Sequence, residues 1–567
     1  MSDERTRLED QGTDGADAAR CDADTRGTRM GVTPIWPAAT GVDAAGELTF
    51  HGRTATGLLD EFGSPLYLID VDEVRDRARH FVRAAAQAFS NSTTHVSFAG
   101  KAFLSKEVVR IVTQAGMYVD TCTMGEMRIA LAAGVPGRRL VLHGNNKSDA
   151  EIALAIEQGF AKIVVDEPDE PARIARIAHE LGKRARVMLR VTAGIHAGGH
   201  EYISTAHEDQ KFGVPLMPAG ADAAVFGVLD HLDDVTPAAS NARIAERRAS
   251  DAADAADAAA SSVHAATHTP GDHLGEGRTL RYDVRYPYDL SHEEVGATDR
   301  ALAEAMTAVA DGPALAVLKD IASRHEDLEL VGIHSHIGSN IHDADAFIQA
   351  ARRMMLLRKT FYATDAITLP EVDLGGGYSV AYTDGEDSMD IDVELDRLAH
   401  AVHDVNRALG MPDPAVSFEP GRWIVAPAGV TLYRVGTVKP VHLSDGTTRT
   451  YVSVDGGMSD NIRPALYGAD YTARLANRPG ADATMLCRVC GMHCESGDIV
   501  VRDVQLPADI RRGDVLAVPV TGAYGRTMAS NYNQALIPAV VAVGEAGAHV
   551  MIRRQTIDDL LALDVSE

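Results

Sequence analysis

Cysteine is scarce, long apolar runs are missing and basic charge is outweighed; each shortage closes off a class of protein. Five cysteines in 567 residues give no disulfide framework of the kind that holds small secreted domains together. Cys487, Cys490 and Cys494 lie close together beside His493, but no second Cys pair or spaced His pair completes four zinc ligands, so no metal is expected. No stretch approaches the roughly 18 apolar residues of a membrane-spanning helix. The opening Met1-Ser-Asp-Glu-Arg-Thr-Arg has no apolar core of the signal-peptide kind, which points to a cytoplasmic protein without a membrane partner. Lys and Arg total 54 against 81 Asp and Glu, a formal charge of −27. That balance argues against nucleic acid and anionic bilayers, both of which call for basic faces.

What is present is a long chain with a regular rhythm. The length implies at least two domains. Residues 1–45 are rich in Asp, Ala, Gly, Arg and Thr without periodicity and are expected to be a disordered tail. From there, short apolar runs alternate with helical patterns of about ten residues: Val96–Ala99 then Lys106–Gln114, Tyr118–Thr121 then Gly125–Ala133, Leu140–His143 then Ser148–Gln158, and Lys162–Val165 then Pro168–Leu181. The rhythm lapses in a low-complexity Ala/Asp/Ser segment at about 215–295, expected to be an exposed insertion. It resumes through Leu328–His336, Glu371–Leu374 and Ala415–Glu419. About eight βα units favour an α/β fold closed as a (β/α)8 TIM-like barrel over 46–425. Beyond it, runs of Val, Tyr and Thr broken by turns predict a C-terminal β-sandwich or β-barrel domain over 426–567, which a strand near 48–52 can join.

Catalytic groups of such a barrel sit on the C-terminal ends of its strands. Lys101 follows the first strand, where burial and cationic neighbours would make its amine a nucleophile; the ordinary alternative is a surface lysine. Gly375-Gly-Gly377, Ile337-Gly-Ser339 and Gly421-Arg422 are three small-residue loops at later strand ends, together able to cradle a phosphate. Glu419 adds a strand-end carboxylate, unless it only pairs with Arg422. A lysine for a covalent bond, an acid opposite a pyridine nitrogen and an anion site are the needs of pyridoxal 5'-phosphate.

The ordered set Lys101, Val119-Asp-Thr-Cys-Thr-Met-Gly-Glu126, His143-Gly-Asn-Asn-Lys-Ser148, His334-Ser-His-Ile-Gly-Ser339, Gly375-Gly-Gly and Glu419-Pro-Gly-Arg resembles the barrel-type (fold-type III) pyridoxal-phosphate decarboxylases. Asp455 to Tyr467, Cys494-Glu-Ser-Gly-Asp498 and Gly522 to Asn533 narrow the resemblance to the diaminopimelate decarboxylase family, over roughly 50–560. The resemblance implies that Lys101 bonds the cofactor, Asp120 and Glu126 support it, His336 stacks on its ring and Glu419 meets its ring nitrogen. It places Ser339, Gly377, Pro420, Gly421, Arg422 and Tyr524 at the cofactor, most of them around its phosphate. Arg422, Arg463, Tyr467, Glu495 and Tyr524 would contact substrate, and Cys494 would be the proton donor. It further implies a homodimer in which the Cys494-Glu495 loop completes the neighbour's site.

The implied reaction is conversion of meso-2,6-diaminopimelate to L-lysine and CO2, the last step of lysine biosynthesis. That substrate has a second amino-acid head, which needs cations for its carboxylate and an anion for its ammonium: Arg422 with Arg463, and Glu495. The rivals are an ornithine, arginine or carboxynorspermidine decarboxylase of the same fold, an amino acid racemase, or a non-enzymatic relative. Against ornithine stands the cost of an arginine left unpaired in the pocket. The chain departs from the usual family wording at Gly100, Phe103, Asp209-Gln-Lys-Phe-Gly213 and Gly375-Gly-Gly-Tyr-Ser-Val.

Overall fold

The computed structural model describes residues 33–195, 211–218 and 297–566. Eight strands form its centre: β1 (Thr94–Ala99), β2 (Tyr118–Thr121), β3 (Leu140–Leu142), β4 (Lys162–Val165), β5 (Ala185–Thr192), β6 (Leu328–His334), β7 (Glu371–Asp373) and β8 (Ala415–Phe418). Each pairs in parallel with the next. Strand β8 returns to β1, with Val416, Ser417 and Phe418 opposite Thr94, His95 and Val96. The ring is therefore closed, as a TIM-like barrel requires.

Local sequence chemistry starts the helices between these strands. Ser148 accepts from the Glu151 N–H while the Glu151 carboxylate accepts from the Ser148 N–H, a reciprocal cap at the head of Asp149–Gln158. Asp70 caps Val71–Ala88 by accepting from the N–H groups of Asp72 and Glu73 at 3.1 and 3.0 Å. The first barrel helix, Lys106–Gln114, turns Val108, Val109, Ile111 and Val112 inward, the 3.6-residue stripe that lays it on the strands. Inside the ring, Lys162 pairs with Glu371 and, at 3.3 Å, with Asp373. Each is buried, and removing one alone would strand the others' charge.

The C-terminal part is rich in sheet: β9 (Gly429–His442), β10 (Thr448–Val454), β11 (Thr484–Cys490), β12 (Ile499–Pro507), β13 (Val515–Pro519), β14 (Ala539–Gly544) and β15 (Gly547–Ile552). Strand β9 is long enough to serve two neighbourhoods. Its first half pairs with β13 and with Leu66–Asp70, and its second half with β10.

The structure differs from the sequence expectations at several places. Leu66–Asp70 precedes the barrel in the chain but lies between β9 and β14 in the C-terminal sheet. All five of its residues are buried, and a buried strand has no alternating pattern to say which sheet it enters. The strand near 48–52 is Leu48–Phe50, in a three-stranded sheet with Thr40–Val42 and Arg53–Thr54; its Leu48 N–H reaches the Ala476 carbonyl at 2.7 Å. A tail reaching residue 45 is too long: Ile35 and Trp36 are buried, anchors too isolated to show periodicity. Strand β12 carries Arg502, Asp503 and Gln505, which dilute its apolar signal. Residues 1–32, Asp209-Gln210 and all but the first residues of the insertion lie outside the described residues.

Candidate active site

Lys101 sits in the turn that leaves β1. That turn is held by Gly100, whose N–H donates to the Asp120 carbonyl at 3.1 Å. A Cβ on Gly100 would come within 2.6 Å of the same oxygen, so the unusual glycine lets the lysine turn lie against β2. The expected burial of Lys101 is not found, for its side chain is exposed. It lies in electrostatic reach of Glu126 and His336. Glu126 is tied to the local backbone, accepting from the Cys122 N–H at 2.6 Å.

The buried floor of the site is a set of carboxylates and imidazoles from four strand ends. Glu419 Oε1 lies 3.1 Å from His143 Nε2 and 3.2 Å from His334 Nε2, and His143 Nε2 lies 3.6 Å from Asp120. Burial by itself would lower the pKa of His143, but Glu419 and Asp120 outweigh it and raise it to about 10. Burial would push Glu419 upward, yet His334 and His143 hold it well below the usual carboxylate range. Asp120 is raised to about 7, by burial first and then by the Glu419 charge. Glu419 is thus ionised, and its partners are the two histidines, whereas Arg422 pairs elsewhere.

His336 is half-buried and its Nδ1 accepts from the Gly376 N–H at 3.2 Å. A backbone donor there makes Nδ1 the acceptor and fixes the tautomer. Burial, then the charges of Lys101 and Arg190, push the imidazole well below its ordinary pKa, so this ring is neutral and free of cationic repulsion toward an electron-poor aromatic.

The glycines of the three loops serve a purpose beyond phosphate access. A Cβ on Gly376 would meet the Glu419 carbonyl at 2.2 Å, and one on Gly377 the Gly338 carbonyl at 2.6 Å. Gly421 would meet Ala99 and Ala102 on either side of Lys101. Backbone therefore packs on backbone, and the interlocked loops carry Arg422 inward. Arg422 donates to Ser339 Oγ at 2.6 Å and to the Tyr382 hydroxyl, and its guanidinium lies 4.9 Å from the Tyr524 ring centre. Its buried Nε has no hydrogen-bond partner among the described residues.

The C-terminal sheet reaches this floor through Tyr524. Its N–H donates to the Ala102 carbonyl at 2.8 Å, and its φ of +59° is left-handed, a conformation that costs a tyrosine on the order of 1 kcal/mol. Arg463 is also buried, donating to the Tyr471 hydroxyl and packing 4.6 Å from the Tyr382 ring centre. Tyr467 ends the same short helix, Arg463–Tyr467, and is half-buried. Cys494 and Glu495 form a separate place: both are exposed. Glu495 accepts from the Tyr532 hydroxyl at 2.5 Å, while Asp498 beneath takes the N–H groups of Met458 and His493 at 2.6 and 2.7 Å. The structure thus gathers Asp120, His336, Ser339, Gly377, Glu419, Pro420, Gly421, Arg422, Arg463 and Tyr524 at the barrel mouth, and leaves the Cys494 loop apart with its own neighbours.

These residues fit pyridoxal phosphate. A buried carboxylate held ionised, with one oxygen lacking a donor in hydrogen-bond line, suits a protonated ring nitrogen, and the unpartnered Arg422 Nε beside Ser339 suits a phosphate. Sequence reasoning gave no role to His334, Tyr382 or Tyr471. His334 was visible as the first half of His334-Ser-His336, two residues away on one strand end; the tyrosines carry no motif.

The comparisons with known proteins agree with this chemistry. Residues 73–233 and 310–426 match the pyridoxal-binding domain of pyridoxal-dependent decarboxylases. The diaminopimelate decarboxylase of Mycobacterium tuberculosis is 39% identical over 535 residues, 94% of this chain and 98% of its own. That of Bacillus subtilis is 32% identical over 520 residues, 92% and 95% of the two chains. Among solved structures, the M. jannaschii diaminopimelate decarboxylase with L-lysine superposes with a TM-score of 0.69 at 24% identity, covering 93% of this chain and 98% of that one. The Helicobacter pylori enzyme with L-lysine gives 0.64 at 25% identity, over 90% and 98%.

Proposed function

The chain belongs to the diaminopimelate decarboxylases, pyridoxal-phosphate-dependent carboxy-lyases, and we propose that the barrel mouth described above, joined by the Cys494 loop of a second subunit, converts meso-2,6-diaminopimelate to L-lysine and CO2. The observation that carries the substrate assignment is the pair of buried guanidiniums, Arg422 and Arg463. Two buried cations over one aromatic ring, 5.7 and 4.6 Å from the Tyr382 centre, call for two anions, and a phosphorylated cofactor with a substrate bearing a distal carboxylate supplies both. An ornithine-type substrate would leave Arg463 without its anion.

When bound, pyridoxal phosphate supplies the conjugated ring that accepts the electrons of the breaking Cα–carboxylate bond. Lys101 would hold it through its ε-amine. Glu419, ionised among His143 and His334, would hold a proton at the ring nitrogen, and neutral His336 would cover one ring face. Ser339, Gly377, Pro420, Gly421, Arg422 and Tyr524 surround the phosphate, with Asp120 and Glu126 supporting the lysine's surroundings. Arg463 with Arg422, Tyr467 and Tyr524 orient the distal head, and Glu495 takes its ammonium. Cys494 delivers the proton that Cα needs once CO2 has left. A thiol suits that task, because its ordinary pKa of about 8.5 makes it both mostly protonated and willing near neutrality.

The homodimer reading rests on exposure. Cys494 and Glu495 stand in solvent beside Met492, 55% exposed, and Tyr532, 39% exposed, a surface that a second copy would cover. Among the described residues no single helix is long and apolar enough to cross a membrane, in keeping with a cytoplasmic enzyme. The test is an absorbance spectrum of the purified protein, followed by addition of meso-diaminopimelate with detection of CO2 and lysine. A near-visible cofactor band lost in Lys101→Ala, with stoichiometric lysine release, is expected; a band without lysine would reassign the substrate.

A further inference from the structure

We propose that His493 is a positioning residue for proton delivery: its imidazole ties the Cys494-Glu495 loop to two other segments of the C-terminal part and so fixes where the thiol stands. The inference rests on the role given to Cys494 above and adds the residue through which that thiol is held. Met492 is 55% exposed and His493 only 9%, and Cys494 to Gly497 are exposed again. Between Gly491 and Asp498 the imidazole is therefore the one buried side chain. Its Nδ1 lies 3.0 Å from Asn533 Oδ1, and its Nε2 lies 2.8 Å from Ser459 Oγ. An amide oxygen only accepts, so Nδ1 donates, and both ring nitrogens are engaged.

Both partners belong to segments that are themselves held in place. The Ser459 carbonyl accepts from the Ser530 N–H at 2.9 Å. Asn533 follows Tyr532, whose hydroxyl donates to Glu495, and the Tyr532 ring centre lies 5.3 Å from that of His493. The imidazole thus reaches Cys494 through the chain and Glu495 through Tyr532. The backbone beneath is fixed separately: Asp498 takes the N–H groups of Met458 and His493, and a Cβ on Gly491 would come within 2.5 Å of the Gly457 Cα. Asp498 sets the base of the loop, and His493 sets its direction. A thiol that must reach one carbon atom needs that second constraint, because a displacement of about 1 Å can cost about 10²-fold in rate.

A double-mutant cycle separates this role from a merely structural one. His493→Leu should lower kcat by about tenfold or more in the otherwise wild-type enzyme, but by less than about twofold when Cys494 is already Ala, since the thiol it positions is gone. Equal losses in the two backgrounds overturn the proposal, as does an unchanged kcat in the first. Hydrogen exchange of the cofactor-free protein needs no turnover: the stretch 491–499, whose His493 and Asp498 amides are hydrogen-bonded, should exchange at least about fivefold faster in His493→Leu, with β1 unchanged. Unchanged exchange in that stretch also overturns the proposal. Melting curves establish that the variant folds. If it does not, Ser459→Ala, which removes only a hydroxyl, takes its place in the same cycle and the same exchange measurement, with a loss of about fivefold in kcat expected. Full kcat in Cys494→Ala alone, or a wild-type protein that binds the cofactor but releases no lysine, would instead overturn the functional reading, leaving the exchange arm valid.

Discussion

Two places in the molecule hold the proposed chemistry, and they are built in opposite ways. The barrel mouth has a closed floor: Glu419, His143, His334 and Asp120 come from different strand ends and meet in the interior, where His143, Asp120 and Glu419 are each shifted by charged neighbours. The Cys494 loop is open, with Cys494 and Glu495 in solvent and the buried Asp498 and His493 anchoring the turn from below. Groups that must keep one protonation state are buried together, because a low-dielectric interior makes each charge depend on its neighbours. A group that must deliver a proton is presented on a surface and enclosed by assembly. If this contrast is right, the first place tolerates no single change, while the second functions only in company.

The largest effect is expected at the closed site. Lys101→Ala should lower kcat by more than about 10³-fold and abolish the cofactor's covalent absorbance band, as read by steady-state lysine release and a spectrum. Cys494→Ala should cost about 10³-fold in kcat, within the range for a lost general acid, while the band remains. Mixing the two inactive variants tests the contrast itself. If each loop serves its neighbour, random exchange of subunits gives one intact site in each mixed dimer and about a quarter of wild-type activity. No recovery after exchange, verified by native mass spectrometry, would return the Cys494 loop to its own subunit.

The barrel was legible because repetition is a strong signal: eight short apolar runs followed by helical patterns leave few architectures to choose from. The closed-site residues were legible for the same reason, since strand ends could be located and Lys101, Glu419 and Gly375–Gly377 stand there. What the sequence could not show was pairing at a distance. Glu419 could have been bonded to Arg422, three residues on, or to His143 and His334 from other strands, and only the ring's closure decides for the histidines. Leu66–Asp70 reads as any buried strand does, and its place beside β9 depends on pairing with residues more than 350 positions later. The glycines were read as phosphate contacts, whereas the structure shows that they are demanded first by carbonyls of adjacent loops.

Smaller changes sharpen the account of the closed site. Glu419→Gln preserves the shape and removes the charge that keeps the ring nitrogen protonated, so kcat should fall by about 10²-fold, comparable to losing one preorganised electrostatic partner. Cofactor content by absorbance should stay within about twofold, because the phosphate side is untouched. A Glu419→Gln enzyme with wild-type kcat would mean that the carboxylate serves only to bind His143 and His334.

The smallest expected effect is on stability, and it concerns His143. Its pKa is raised to about 10 in the fold, against roughly 6.5 in an unfolded chain. A raised pKa stabilises the fold fully below the unfolded value, and the contribution is lost as pH climbs toward 10. Asp120, raised to about 7, has the same sign in a lower window. Glu419, held low by the histidines, loses its contribution only as pH falls through the acid range. Between pH 7.5 and 10 the cluster's pH dependence therefore belongs to His143. The melting temperature of cofactor-free wild-type protein should fall across that interval by at least about 2 °C more than that of His143→Gln. Parallel curves would mean that His143 is uncharged in the folded state, and the closed site would then be held by neutral hydrogen bonds instead of by the mutual charging that distinguishes it from the open one.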